Sequence, residues 1–289
     1  MNNALELHNV CKTYKGFTLQ DISFSLPKGY IMGLVGPNGA GKTTIIKLIM
    51  NLIRRDAGSI AVFGKSNIDE EAYAKSRIGF VYDEPTFCED VKLRDLKSAY
   101  CLFYEQWDEG QFQSLAQDFE LPLQKKYKTL SQGMKIKFAL ALALSHGADL
   151  IVMDEPTAGL DPVFRRKLLD RLTAVLQNEG KSILFSTHIT SDLDRIADYV
   201  TFIRDGKIVF STTKDALRDG WAIVRGGPEI LNNGSKHLLR GYRQGRFGVE
   251  ALVCDIKQAR RTLPDDVVVE RATLEDIMYF MTKGGLSAE

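Results

Sequence analysis

The nine residues Gly36-Pro37-Asn38-Gly39-Ala40-Gly41-Lys42-Thr43-Thr44 constrain this chain more than any other stretch. They fit the pattern G-x-x-x-x-G-K-[ST] at every fixed position. The apolar segment Tyr30-Ile31-Met32-Gly33-Leu34-Val35 precedes them and Ile45-Ile46-Lys47-Leu48-Ile49-Met50 follows. That context is strand, loop, helix. The glycines can turn backbone N–H groups inward around a phosphate chain, while the helix presents the positive end of its dipole to the same anion. In such a loop Lys42 reaches the β- and γ-phosphates and Thr43 ligates Mg²⁺.

Upstream, residues 4 to 35 read as short strands. Leu5, Leu7 and Val10, then Leu19, Ile22, Phe24 and Leu26, stand at near-alternating spacing, with turns at Tyr14-Lys15-Gly16 and Pro27-Lys28-Gly29. An aromatic at Tyr14, ahead of a phosphate loop, can stack on an adenine ring, and can equally be a turn tyrosine without a ligand. The helix after Thr44 is expected to end near residues 54–58, followed by a strand pair, Ser59 to Phe63 with Ile78 to Tyr82. From about Glu84 to Ser145 the pattern turns helical, with Leu93, Leu96, Tyr100 and Phe103 on one face and Phe112, Leu115, Ala116 and Phe119 on another, read as core. This insertion closes with Leu130-Ser131-Gln132-Gly133-Met134 and a small-residue helix from Ile136.

Leu150-Ile151-Val152-Met153-Asp154-Glu155 then reads as a buried strand ending in two carboxylates, where an open parallel sheet delivers groups to its ligand. Asp154 suits contact with Mg²⁺. Glu155, one step beyond, can reach a water in line with the γ-phosphate and act as general base. A helix from Pro162 to about Gln177 and a further buried strand, Ser182 to Ser186, lead to Thr187-His188, so this histidine is delivered like the carboxylates. Strands Tyr199 to Arg204 and Lys207 to Ser211 and a short helix, Lys214 to Arg218, finish the main domain.

Residues 220–289 read as a separate appendage, with glycines at Gly226, Gly227, Gly234, Gly241, Gly245 and Gly248. Strands are expected at Val249 to Val253 and Val267 to Val269, and a helix from Leu274 to Met281. Between Lys236 and Arg261 seven Lys and Arg oppose two acids, read as a solvated face. With a formal net charge of +1 the whole chain has no general attraction to nucleic acid or anionic membrane. Cys11, Cys88, Cys101 and Cys254 lie far apart without a C-x-x-C pair, which signals neither a zinc site nor a disulfide framework and reads as reduced, cytosolic thiols. The start lacks a signal-peptide pattern, and no apolar run approaches the roughly 18 residues that span a bilayer. Any work at a membrane therefore needs another chain to hold this one there.

Phosphate loop, helical insertion, Leu130 to Met134, strand-end Asp-Glu and a later strand-end His, in this order, make residues 4 to about 218 resemble a nucleotide-binding subunit of an ATP-binding cassette (ABC) transporter. The resemblance implies an α/β P-loop cassette. Its mixed, largely parallel sheet is joined by an amino-terminal antiparallel part and a helical subdomain at about 84–146, all within 1–219, with a small α+β accessory domain at 220–289. It implies ATP and Mg²⁺ as ligands, hydrolysis of ATP, and two cassettes, identical or different, closing head to tail. Under it Tyr14 stacks on adenine, Gly36 to Thr44 hold the phosphates, and Ser131 and Gly133 contact the nucleotide of the other subunit. Asp154 serves Mg²⁺, Glu155 is the base, Ala158-Gly159-Leu160-Asp161 is the dimer-contacting loop and His188 senses the γ-phosphate.

Two positions depart from the family pattern. Gln132 and Met134 replace the second glycine and the glutamine of the usual LSGGQ signature, and Asp83 stands where the family places a glutamine that contacts Mg²⁺ and attacking water. A carboxylate there can still bind Mg²⁺ but lacks the amide's donor. With Asp83-Glu84-Pro85 and the appendage, these departures resemble the bacterial branch serving exporters of drugs, antibiotics and peptides. The implied partner is a transmembrane permease, and the implied place is cytoplasmic, peripheral on the inner face of the membrane. The alternative is a soluble clamp or nucleotide switch uncoupled from transport. Relatives that clamp nucleic acid or ribosomes carry two cassettes or a long coiled-coil insertion, and neither is present.

Overall fold

The computed structural model describes residues 2–231, 238–245, 248–264 and 267–283, apart from the side chains of 177–179 and 282–283. Gly234 and Lys236, cited above, lie outside the described residues. The chain forms two compact units, Met1–Ser211 and Thr212–Glu289.

Along the first unit run β1 (Asn3–Tyr14), β2 (Phe17–Pro27), β3 (Ile31–Val35), α1 (Lys42–Ile49), β4 (Ala57–Val62), β5 (Lys65–Ser66), α2 (Glu71–Ser76) and β6 (Ile78–Val81). They are followed by α3 (Leu93–Tyr100), α4 (Glu109–Asp118), α5 (Gln132–Ser145), β7 (Leu150–Met153), α6 (Pro162–Glu179), β8 (Ser182–Thr187), α7 (Thr190–Ile196), β9 (Tyr199–Arg204) and β10 (Lys207–Thr213). An antiparallel sheet has the order β2-β1-β4-β5, and a second sheet the order β10-β9-β3-β8-β7-β6, in which β9, β3, β8, β7 and β6 run parallel. The parallel strands β3, β7 and β8 are buried at every position, as the apolar runs of β3 and β7 and the apolar centre of β8 require. One buried cluster binds the two sheets through α1, whose Ile45, Ile46, Leu48 and Ile49 meet Leu5, Leu7 and Ile22 from one sheet and Val152 and Leu184 from the other.

Leu19 and Ile22 both face inward although two residues, Gln20 and Asp21, lie between them where strict alternation allows one. Register shifts in the β1–β2 ladder and a left-handed Asp21 (φ 51°) absorb the extra residue, the action of a β-bulge. The helix after the phosphate loop ends at Ile49, short of the expected 54–58, because Asn51 takes a left-handed φ of 51° just beyond it. The expected pairing of Ser59–Phe63 with Ile78–Tyr82 does not form. The strand of the first segment, β4, pairs antiparallel with β1, while β6 extends the parallel sheet beside β7, so neighbours in sequence satisfy their backbones in different sheets.

The helical insertion holds α3, α4 and α5. Phe112, Leu115, Ala116 and Phe119 are buried as core. Phe103 is not. The α-helix stops at Tyr100 and tightens into a 3₁₀ turn, Cys101–Phe103, whose shorter repeat swings Leu102 and Phe103 off the inner face, leaving them 84% and 82% exposed.

The second unit contains α8 (Lys214–Gly220), β11 (Ala222–Gly226), β12 (Leu239–Gly245), β13 (Gly248–Val253), α9 (Ile256–Thr262), β14 (Val268–Arg271) and α10 (Leu274–Lys283). Its antiparallel sheet has the order β12-β13-β11-β14, so its first strand lies inside. A separate core of Ala222, Val224, Ile230, Val249, Ala251, Val253, Ala259 and Leu263 holds it.

Candidate functional site

The phosphate loop is crowded from beneath by the β1–β2 hairpin. Gly41, which precedes α1, has φ 112°, and a Cβ there would lie 2.5 Å from Leu19 Cδ2 and 3.0 Å from Phe17 Cζ. Only glycine fits both the conformation and the space. The next residue, Lys42, is 7% exposed. Its Nζ donates to Gly36 O at 2.9 Å and to Pro37 O at 3.3 Å, and lies 3.3 Å from Glu155 Oε1.

Glu155 stands just past β7 with a left-handed φ of 47°, a conformation that costs a non-glycine residue roughly 1–3 kcal/mol and persists only where its surroundings hold it. Its backbone N–H donates to Ser186 Oγ at 2.9 Å, and that hydroxyl donates to Asp154 Oδ1 at 2.5 Å. Ser186 belongs to the adjacent strand β8, so the parallel pairing clamps the Asp-Glu step. Glu155 Oε2 is 2.9 Å from His188 Nδ1, just past β8. Adjacent strands β3, β8 and β7 thus deliver the Lys42 loop, His188 and Glu155 to one place, at the carboxyl ends of a parallel sheet. Between them opens a cleft of about 410 Å³ lined by Phe17, residues 38–44, Asp83, Glu155, Ala158 and His188.

Asp154 is fully buried, and its Oδ2 has no hydrogen-bond partner. A buried carboxylate with one idle oxygen is costly unless a cation meets it, and this orphaned atom fits Mg²⁺. Among the described residues no cluster of three or more His, Cys, Asp or Glu forms an all-protein metal cage. Mg²⁺ in nucleotide sites is held by one or two carboxylates plus phosphates and water, so the donor set suits it. The Asp83 carboxyl is held above its ordinary range, first by partial burial and then by the negative charges of Asp154, Glu155 and Glu84, with His188 opposing. On α1, Lys47 is held above its ordinary range chiefly by its hydrogen bond with Tyr82, while burial opposes; its Nζ lies 5.5 Å from that ring's centroid.

Seven expected residues, Tyr14, Gly36, Pro37, Ser131, Gly133, Asp154 and Asp161, are not among those lining this cleft. Tyr14 is exposed at the end of β1, with Lys12 Nζ 5.6 Å from its ring centroid, and the aromatic that reaches the cleft is Phe17, its partner across the hairpin. Ser131 caps α5, accepting from Met134 N at 3.3 Å, and Gln132 Nε2 is 3.5 Å from Asp83 O. Asp161 caps α6 by accepting from Val163 N at 3.1 Å and Phe164 N at 2.9 Å. At Gly133 a Cβ would meet only Leu160 Cδ2 at 3.7 Å, an ordinary contact. Sequence reasoning missed Phe17, Lys47 and Ser186. Only Phe17 carried a signal, since a two-residue turn after Tyr14 places it opposite.

Comparison with known proteins bears on this geometry. The family described as ABC transporter matches residues 19–158. The ABC transporter ATP-binding protein YtrB of Bacillus subtilis is 31% identical over 222 residues, spanning 76% of this chain and 76% of that protein. The lantibiotic transport ATP-binding protein SrtF of Streptococcus pyogenes is 30% identical over 73% of this chain and 91% of its own length. A solved structure described as the ATP binding subunit of an ABC transporter superposes with a TM-score of 0.69 at 27% identity, covering 74% of this chain and 92% of that one. A parallel sheet delivering Lys42, Glu155 and His188 to one cleft, in a chain this similar to such proteins over three quarters of its length, makes it a member of the ATP-binding subunits of ABC transporters.

Proposed function

We propose that the cleft binds ATP with Mg²⁺ and hydrolyses it to ADP and phosphate, and that the cycle drives a separate transmembrane permease. The observation that carries this reading is the single Glu155 carboxylate placed between Lys42 and His188. When the nucleotide enters, the Lys42 ammonium leaves the Gly36 and Pro37 carbonyls and Glu155 for the β- and γ-phosphates, joining the N–H groups of residues 38–44. Glu155, released by Lys42 on one oxygen, accepts a proton from the water that attacks the γ-phosphate, and His188 beside it contacts that phosphate. Thr43, Asp154 and Asp83 would hold Mg²⁺, which neutralises developing phosphate charge when bound. Phe17 and Tyr14 supply aromatic surface for the base. Ser131, Gly133 and Asp161, all outside their own chain's cleft, suit contact with the nucleotide and loops of a second cassette.

No helix of the described residues is long and apolar enough to cross a membrane, so attachment to a membrane falls to the permease. The likeness to the Nod factor export ATP-binding protein I of Burkholderia orbicola, 32% identical over 74% of this chain and 72% of that protein, supports export as the direction, on the cytoplasmic face of the membrane. The test is Glu155→Gln. It is expected to keep ATP binding and to lower hydrolysis at least about a hundredfold, the scale of a lost general base, and to co-purify a polytopic membrane protein from detergent-solubilised membranes with ATP and Mg²⁺. Unchanged turnover removes Glu155 from its role, and recovery of the protein without a membrane partner sinks the transport reading.

A further inference from the structure

The short helix α7, with His188 at its head, leans on the strand that feeds the phosphate loop. A Cβ on Gly33 of β3 would lie 1.9 Å from Leu193 Cδ2, so a residue without a side chain is what lets α7 close on the sheet. Beside Leu193, Asp192 is 1% exposed and uses both carboxylate oxygens. Oδ2 accepts from the Thr157 hydroxyl at 2.7 Å; Oδ1 accepts from Arg165 Nε at 2.7 Å and lies 2.6 Å from its Nη2. That same Nη2 donates to Ser191 Oγ at 3.0 Å.

Each partner of Asp192 belongs to a segment that presents a residue of the site. Thr157, itself buried, lies two residues past Glu155. Arg165 lies in the first turn of α6, and its backbone N–H donates at 2.9 Å to the carbonyl of Asp161. Asp192 follows His188 by one helical turn. Besides the contacts of Glu155 with Ser186, Lys42 and His188 and the Asp161 cap on α6, the segment 155–161 has two local backbone bonds, Ala158 N to Glu155 O at 3.0 Å and Leu160 N to Thr157 O at 3.4 Å. A buried carboxylate is stable only when its partners hold good geometry, so this one fixes the spacing of the three segments it joins.

We propose that Asp192 is a positioning residue for hydrolysis: through Thr157 and Arg165 it sets the placement of Glu155 and Asp161 relative to His188, without touching nucleotide. This rests on the reading of Glu155 as the base. The test compares steady-state hydrolysis by the full chain with ATP affinity measured after Mg²⁺ is chelated. Thr157→Val keeps the shape and the Asp192–Arg165 pair and removes only the hydroxyl. Misplacing a catalytic group by a fraction of an ångström costs rate, so kcat is expected to fall about tenfold. ATP affinity stays within about twofold, and Thr157→Ser restores kcat, the split that separates chemistry from binding. A role confined to structure would lower Tm while leaving kcat unchanged below the transition, and that result overturns the proposal. If Thr157→Val does not fold, Thr157→Ala, which removes the hydroxyl without adding bulk, gives the same decision. Glu155→Gln assayed alongside tells the failures apart. Retained turnover there overturns the reading of the base, whereas its loss together with unchanged kcat in the Thr157 variants overturns only the role of Asp192.

Discussion

Two helices of the cassette begin at a glycine-bearing, hydroxyl-bearing sequence, and they are built in opposite ways. At the start of α1, Gly41 and Lys42 are packed in by Phe17 and Leu19, and the ammonium is held by two carbonyls and a carboxylate of the same chain. At the start of α5, Ser131 and Gln132 are exposed, and Gly133 has room for a methyl group. The first end is fully specified by its own chain. The second has no such internal reason for its glycine, and a surface outside the chain is what would require it.

The contrast can be broken by substitution. Gly41→Ala forces a left-handed φ on alanine and a Cβ into Leu19 and Phe17, and is expected to cost about 3 kcal/mol of unfolding free energy along with ATP binding. Chemical denaturation and ATP titration check it; a variant as stable as wild type would show that the loop yields more easily than its packing implies.

A second effect belongs to the far end of α5, where His146 is buried and stacks on Tyr104 with ring centroids 4.0 Å apart. Burial pushes its imidazole down from 6.5 to about 4, with the charge of Lys181 adding and backbone carbonyls opposing. Above pH 6.5 both folded and unfolded forms carry it neutral, and nothing is lost. As pH falls from 6.5 toward 4 only the unfolded chain takes up the proton, so stability declines by roughly 3 kcal/mol on a conversion of 1.36 kcal/mol per unit. Urea unfolding at pH 7 and pH 4.5 measures this, and His146→Phe, which keeps the stack, is expected to flatten that part of the dependence.

The smallest change in stability is expected for Gly133→Ala, within about 0.5 kcal/mol, as for a substitution whose new methyl meets only an ordinary contact. Its effect belongs to turnover, which falls if a second cassette approaches this backbone. A large loss of stability with Gly133→Ala would erase the difference between the two helix starts.

Much of this molecule is legible in its amino-acid sequence alone. The phosphate loop, the strand ending in Asp154-Glu155 and the strand ending before His188 are short patterns whose chemistry needs those residue types in that order. The buried face of α4, and that of β2 from Ile22 onward, follow from periodicity. What escapes such a reading comes from contacts between distant segments. Ser186 is one more residue of a buried strand until β8 pairs with β7 and sets its hydroxyl on Asp154. Phe103 fits a helical face until the helix tightens into a 3₁₀ turn and turns it outward.

Local order along the chain therefore determined the phosphate loop, the parallel layer and which groups are proposed to react, because backbone conformation and apolar period are properties of neighbouring residues. Tertiary packing decided that Phe17 rather than Tyr14 lines the cleft, that Asp154 keeps one oxygen without a partner, and that Asp192 binds Thr157 and Arg165. Those outcomes depend on which strands lie side by side and how closely a helix approaches a sheet, and residues far apart in sequence settle both.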